Sequence, residues 1–320
     1  MIDRGRFAPT PSGALHVGSA RTAIASALAA WRTEGRWVLR VEDLDVLRSS
    51  TRSIEAMYED LAWLGLSWDE GPGALGTHAP YRQSARAGLY HEALAWLRAK
   101  GLVYPCGCSR KEVGMASQAP HGTEPIYPGT CRRRDPEEVV REAAARGRGV
   151  AWRFKVDPAR GPVTVHDRVM GDFTQDVARD VGDFVVMRSD GVAAYQLAVV
   201  IDDITMEITE VVRGNDLLES TPRQVLLYEA FGAQPPRWVH VPLVLGHDGE
   251  RLAKRLGAMG LSVLRAQGFD PNRLRAELLR SLGLMETDED LRTLAKRFDP
   301  QRIPRSSPRW NVARGTLEAS

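Results

Sequence analysis

Apolar residues recur along this chain in two alternating periods. Ala20, Ile24, Ala27, Leu28 and Trp31 repeat at helical spacing, which predicts a helix from about Gly18 to Glu34. Ahead of it, Arg6 to Pro9 reads as a strand end, and behind it Trp37-Val38-Leu39-Arg40-Val41 is a β-rich run that stops on Glu42-Asp43. Ile54, Met57, Tyr58, Leu61 and Leu64 mark an amphipathic helix, and Leu89, Ala93, Leu94 and Leu97 mark another. Strands alternating with helices imply a parallel sheet joined by right-handed crossovers.

From about residue 101 to 180 the pattern breaks into cysteines, prolines and short β-like runs (Ala151 to Val156, Val163 to His166), which suggests a compact insertion. Alternation resumes with Asp183 to Met187, an Asp190-Gly191 turn and an apolar helix-like run near Tyr195 to Ile201. A strand near Thr205 to Val212, a helix near Arg223 to Ala230 and a final strand from Val239 to Leu245 follow. Beyond residue 255 the chain reads as mostly helical, with Leu274, Leu278, Leu279 and Leu282 on one face. The expected fold is therefore α/β, a doubly wound parallel sheet interrupted in its middle. Residues 1–100 and 181–250 would form its two halves, 101–180 the insertion and 251–320 a short helical C-terminal region. Ligands in such sheets bind outside the carboxyl ends of the strands, where Pro9-Thr10 and Glu42-Asp43 fall.

Composition narrows the class. At 43% hydrophobic and 26% charged residues, with no apolar run long enough to span a bilayer, the chain reads as soluble and free of membrane contact. Its start, Met-Ile-Asp-Arg-Gly-Arg, lacks the apolar core of a signal peptide, so a cytoplasmic location is expected. A net charge of +2 is too small to argue for a nucleic-acid partner, and any RNA contact would rest on local clusters such as Arg132-Arg133-Arg134 with Arg141, Arg146 and Arg148. The three cysteines, Cys106, Cys108 and Cys131, share one short window and cannot all pair in intramolecular disulfides. Three soft ligands suggest tetrahedral zinc, with His121 the chemically ordinary fourth donor. Such a metal would be structural, stapling an insertion too small to hold itself together.

The segment Arg6-Phe7-Ala8-Pro9-Thr10-Pro11-Ser12-Gly13-Ala14-Leu15-His16-Val17-Gly18-Ser19 carries the densest chemistry. Prolines, glycines and hydroxyl residues make Pro9 to Gly13 a sharp turn, and the helix begins near Gly18, where free N–H groups can receive a phosphate. The string resembles the first signature of the class I aminoacyl-tRNA synthetases, with His16-Val17-Gly18-Ser19 in the place of their His-Ile-Gly-His. Its Arg-Phe-Ala-Pro-Thr-Pro-Ser-Gly is similar to the glutamyl branch. After the last strand, Asp248 to Arg255 resembles their Lys-Met-Ser-Lys-Ser loop, with Lys254 at the second lysine, which neutralises the ATP phosphates as pyrophosphate departs. Arg251 stands for the first lysine and Ala253 for the serine.

The resemblance implies a Rossmann-type synthetase core and a set of roles. Arg6, Phe7, Ala8, Pro9 and Thr10 would contact glutamate, with Glu42 opposite its ammonium and Tyr195 and Arg213 completing the pocket. Arginine suits the task because its planar fork binds carboxylates bidentately; both arginines fit the side-chain carboxylate, with Arg6 preferred. His16, Gly18 and Lys254 would bind ATP, with His16 and Lys254 catalytic. Val199 stands where many glutamyl-tRNA synthetases carry asparagine and Leu217 where they often carry tryptophan, and the chain ends where their helical anticodon-binding region would begin. These departures match the shorter glutamyl-queuosine tRNA(Asp) synthetases. That resemblance implies ATP- and Mg²⁺-dependent activation of L-glutamate without tRNA, followed by esterification of queuosine in the anticodon of tRNA(Asp) by a monomeric ligase. Cys-x-Cys followed by Tyr-x-x-x-Cys also resembles their zinc site, one Zn²⁺ on Cys106, Cys108, Tyr127 and Cys131. Two other readings share these residues: a glutamyl-tRNA synthetase core charging the tRNA 3′ end, and a non-catalytic zinc-bearing RNA-binding descendant.

Overall fold

Two short apolar runs near the N-terminus pair side by side and set the frame of the molecule. The computed structural model describes residues 2–318 apart from 12, 46–48, 75, 110, 114–125, 251, 253–259, 286–288 and 313. In it β1 (Arg4–Phe7) and β2 (Arg36–Leu39) lie parallel, joined by α1 (Val17–Trp31). α1 is buried along nearly its whole length because Ala20, Ala23, Ala27 and Ala30 let it lie close on the sheet. A Cβ on Gly5 would meet the Ala30 Cβ at 3.0 Å, so this approach depends on glycine in the strand. The helix stops short of the predicted Glu34, whose φ of 57° turns the chain out of the helix and toward β2.

Next along the chain come α2 (Thr51–Trp63), α3 (Ala87–Ala99), β3 (Val103–Cys106), α4 (Pro136–Ala145) and β4 (Ala151–Phe154). A hairpin of β5 (Val163–Asp167) and β6 (Gly171–Gln175), the single turn α5 (Val177–Asp180) and β7 (Val185–Met187) follow. The second half of the sheet is then laid down by α6 (Tyr195–Thr205), β8 (Glu210–Gly214), α7 (Thr221–Ala230) and β9 (Arg237–Val241). The strand expected near Thr205 begins later, at Glu210, because α6 runs on through Thr205 and Glu207 (φ 54°) breaks the chain between them.

The main sheet has the order β2-β1-β8-β9-β5-β6, parallel throughout except for β6 at the edge. One apolar core lies under α1 and the C-terminal helices; the other lies under α3, α6 and α7. Two of the runs read as strands sit in sheets other than the alternation implied. The β5–β6 hairpin joins the main sheet, held by the Asp167 carboxylate, whose Oδ2 accepts the His240 N–H at 2.9 Å. β7 instead pairs antiparallel with β4 in a small sheet of order β3-β4-β7. Buried Asp183 stitches it there, accepting from the Tyr104 hydroxyl and the Val156 N–H, each at 2.8 Å. A run of a few apolar residues carries no record of its partner, so periodicity alone could not make this choice.

The C-terminal part holds α8 (Leu261–Ala266), α9 (Pro271–Ser281) and α10 (Leu291–Ala295), and the predicted leucine face of α9 is buried. It also holds a three-stranded sheet of β10 (Leu245–Gly246), β11 (Arg309–Asn311) and β12 (Thr316–Glu318), which the reading as mostly helical missed. Strands of two or three residues are too short to show a period. Among the described residues no helix is long and apolar enough to cross a membrane.

Candidate active site

The carboxyl ends of β1, β8 and β9 meet the N-terminus of α1 around a cavity of about 360 Å³. Arg6, Phe7, Ala8, Pro9, Thr10, His16, Gly18 and Arg213 all line it, so one site gathers these residues from both halves of the sheet. His16 is the N-cap of α1: its Nδ1 accepts the Ser19 N–H at 3.1 Å. That bond fixes the tautomer of the neutral ring, leaving the proton on Nε2, 3.1 Å from the Ser19 hydroxyl and able to donate to a phosphate oxygen. Burial pushes the His16 pKa down, against the pull of Asp216, which keeps the ring neutral. A Cβ on Gly18 would stand 3.0 Å from the His16 ring, so glycine is what allows the ring to fold over the helix start.

Arg6 is buried and has its Nε 3.4 Å from Asp203 Oδ1, leaving the Nη pair as its remaining donors. The same Asp203 oxygen accepts Arg40 Nη1 at 2.6 Å, and Arg40 Nη2 reaches Glu42 Oε1 at 3.1 Å. Burial pushes the Glu42 carboxyl up, opposed by Arg40 and Arg6; burial also opposes the charge of Asp203, but Arg40 and Arg6 hold its carboxyl below the ordinary range. Arg213 is held from behind. Its Nε donates to His240 Nε2 at 2.9 Å and its Nη2 to Thr221 Oγ1 at 2.8 Å, while Nη1 stands 3.5 Å from the Tyr195 hydroxyl.

Glu42 and Tyr195 line a second cavity, of about 720 Å³, that shares Thr10 with the first and extends along β4 and β7 toward Cys108. Leu217 lines the first cavity, whereas Val199 is wholly buried in α6. Lys254, with Arg251 and Ala253, lies outside the described residues. Leu252 lines the first cavity and Gly260 bridges to the His16 backbone, so the chain on both sides of 253–259 stands at the site.

The cysteines meet below this second cavity. Their three sulfurs lie within 4.8 Å of one another, with Cys108 and Cys131 3.6 Å apart. The Tyr127 hydroxyl is 3.4 Å from Cys106 Sγ and 4.0 Å from Cys108 Sγ. A tetrahedral zinc with Zn–S of about 2.3 Å sets its sulfurs roughly 3.8 Å apart, so these four atoms fit such an ion. The Cys131 N–H, 2.8 Å away, donates to the Tyr127 oxygen and favours a phenolate, while burial and the Cys106 sulfur push the Tyr127 hydroxyl well above its ordinary pKa; the Arg153 guanidinium lies 3.7 Å over the ring. His121 lies outside the described residues.

The basic cluster of the insertion is largely neutralised: Arg132 pairs with Asp183, Arg134 with Glu142, and Arg146 and Arg148 with Glu112. The sequence reading missed Arg40 and Asp203, which orient Arg6, and His240 and Asp167, which back Arg213. Arg40 and His240 carried a signal as single polar residues inside apolar runs, and Asp203 as one of an acidic pair ending such a run, because such groups are buried only with partners; Asp167, between His166 and Arg168, carried none.

Residues 4–307 match the family described as tRNA synthetases class I (E and Q), catalytic domain. The chain is 49% identical over 310 residues to the Glutamyl-Q tRNA(Asp) synthetase of Symbiobacterium thermophilum, covering 95% of each. It is 43% identical over 317 residues to Glutamate--tRNA ligase 1 of Halorhodospira halophila, covering 97% of this chain but only 65% of that relative. A crystal structure of a glutamate tRNA ligase from Elizabethkingia meningosepticum, in complex with its amino acid, superposes with a TM-score of 0.83 at 28% identity, covering 98% of this chain and 68% of that one. The chain therefore belongs to the class I tRNA synthetases of the E and Q type and is a ligase-type enzyme built on their catalytic domain.

Proposed function

We propose that the protein activates L-glutamate with ATP in the absence of tRNA and then transfers the glutamyl group to queuosine in the anticodon of tRNA(Asp). The observation that carries this reading is the placement of two buried arginines, Arg6 and Arg213, in one cavity with the α1 N-terminus. A cavity lined by two guanidinium groups and by a helix start able to receive a phosphate suits a dicarboxylic amino acid beside a nucleotide. Near-complete coverage of the Symbiobacterium relative supports the queuosine acceptor over the 3′ end.

In this mechanism a glutamate α-carboxylate oxygen attacks the α-phosphorus of ATP. The P–O bond to pyrophosphate breaks, and pyrophosphate departs. No side-chain nucleophile is needed. Arg6 and Arg213 hold the two carboxylates, Glu42 faces the ammonium, and His16 Nε2–H and the Gly18 helix start hold phosphate oxygens, so that catalysis is mostly orientation and charge stabilisation. Lys254 neutralises the leaving pyrophosphate. Mg²⁺ would accompany ATP and offset phosphate charge. A hydroxyl of the queuosine ring then attacks the glutamyl carbonyl, the ester forms, and AMP leaves with the proton passed to its phosphate or to water. Cys106, Cys108, Cys131 and Tyr127 would hold Zn²⁺, which supplies a structural tie for the insertion. The glutamine amide is rejected because it leaves a buried guanidinium without its charge partner.

The first step is tested by glutamate-dependent ATP–pyrophosphate exchange without tRNA. The wild type is expected to exchange with glutamate and far less with glutamine, and Lys254→Ala to lose rate while its glutamate KM changes little. Absence of exchange in the wild type would overturn the reading, and unchanged exchange in Lys254→Ala would remove that lysine from the mechanism.

A further inference from the structure

We infer that His240 and Asp167 are positioning residues for substrate recognition: a buried dyad that locks Arg213 so that a single Nη edge faces the amino-acid cavity. This inference rests on the proposed activation of glutamate and goes further by saying what makes Arg213 selective.

The dyad is built from three strands that neighbour one another in the main sheet. Asp167 closes β5, His240 lies in β9 and Arg213 in β8. Among the described residues, the four hydrogen bonds to the Asp167 carboxylate all come from N–H groups. Oδ1 accepts from Val169 N at 2.9 Å and Met170 N at 2.7 Å; Oδ2 accepts from His240 N at 2.9 Å and from His240 Nδ1 at 2.7 Å. Asp167 therefore requires the proton of His240 to sit on Nδ1. The bare Nε2 is then an acceptor, and Arg213 Nε donates to it at 2.9 Å. His240 has no exposed surface, and Arg213 and Asp167 are nearly as buried. Trp238 stacks on the His240 ring, and the Arg213 guanidinium lies 5.0 Å over the Trp238 ring centroid, which fixes the planes of both. With Nε on His240 and Nη2 on Thr221, Arg213 has Nη1 left for substrate, beside the Tyr195 hydroxyl. Arg6, by contrast, keeps both Nη groups after Asp203 takes its Nε. The dyad fixes the Arg213 guanidinium through its Nε, and Thr221 Oγ1 at 2.8 Å and the Leu217 carbonyl at 3.4 Å take its Nη2, so the two arginines are unequal: Arg6 offers a fork, Arg213 one edge.

The chemistry predicts the effect of each change. His240→Leu leaves Arg213 Nε buried without an acceptor and frees the guanidinium to tilt. His240→Gln can return an oxygen near the Nε2 position. Asp167→Asn puts an NH₂ among N–H donors, and its relief is to donate to His240 Nδ1, which moves the ring proton to Nε2, against Arg213.

The test is ATP–pyrophosphate exchange on the full-length protein, with KM for glutamate, KM for ATP and kcat measured separately, alongside ¹⁵N NMR of the histidine rings. For His240→Leu the glutamate KM should rise about 10-fold or more, the loss expected from one charge-assisted hydrogen bond. The ATP KM and kcat should change far less, and His240→Gln should recover most of the glutamate KM. The NMR should show His240 protonated on Nδ1 in the wild type and on Nε2 in Asp167→Asn. Wild-type exchange with an unchanged glutamate KM in His240→Leu would overturn the inference, as would equal losses in every parameter that His240→Gln does not recover. If His240→Leu does not fold, the Asp167→Asn tautomer and its glutamate KM decide alone. A wild type that shows no exchange overturns the proposed function, a separate failure.

Discussion

Arg40 donates from Nη1 to Asp203 Oδ1 at 2.6 Å, and neither side chain has any exposed surface. The same oxygen receives Arg6 Nε at 3.4 Å, so one buried carboxylate holds two arginines, one structural and one at the cavity wall. Breaking a buried pair by removing one partner leaves an uncompensated charge, at a cost of about 3–5 kcal/mol. Asp203→Asn is expected to lose stability on that scale in urea denaturation, whereas Asp180→Asn, an exposed pair with Arg179, should change it little. Equal midpoints for Asp203→Asn and wild type would contradict this.

A second carboxyl behaves in the opposite sense. Asp60 on α2 is buried, which pushes its pKa up from 3.8 to about 6, with Arg265 at 3.8 Å opposing the shift only in part. Its folded pKa exceeds its unfolded one, so between these values the folded chain binds more protons and stability falls as pH rises. Asp60→Asn has no proton to lose. The Tm difference, variant minus wild type, should therefore grow between pH 4 and pH 7. A difference that stays flat across that window contradicts a raised Asp60.

The cysteine site predicts a local rather than global effect. Zinc content by elemental analysis is expected to be one per chain, lost in Cys131→Ser and weakened in Tyr127→Phe, which also removes the acceptor of the Cys131 N–H. On metal removal, hydrogen exchange should quicken in β3, β4 and β7 while β1, β8 and β9 stay protected. Full zinc retention in Cys131→Ser would contradict the site, and uniform loss of protection would contradict a purely local staple.

How much of this was legible in the sequence depends on how local each feature is. The strand end at Arg6, the Pro9 to Gly13 turn and the helix beyond Gly18 were readable because turn chemistry and helical spacing lie within a few residues. Glu42, Tyr195 and Arg213 came through family resemblance, since nothing in spacing says that β1 and β8, some 200 residues apart, are neighbours in the sheet. Arg40, Asp203, His240 and Asp167 stayed hidden for the same reason: Arg40 and His240 are single polar residues in apolar runs, Asp203 is one of an acidic pair and Asp167 stands between His166 and Arg168, and only the tertiary fold supplies their partners. The exchange of β5 and β7 between sheets is the same limit seen in the backbone. Two short apolar runs were visible, but their pairing is decided by Asp167 and Asp183, which lie at their edges.

The central claim concerns the acceptor as much as the amino acid. Its most direct test is transfer of labelled glutamate to tRNA(Asp) purified with and without queuosine, with tRNA(Glu) as the third substrate. The account predicts label on queuosine-bearing tRNA(Asp) alone. Label on tRNA(Glu), or equal label on both forms of tRNA(Asp), would contradict it and point to charging of the 3′ end.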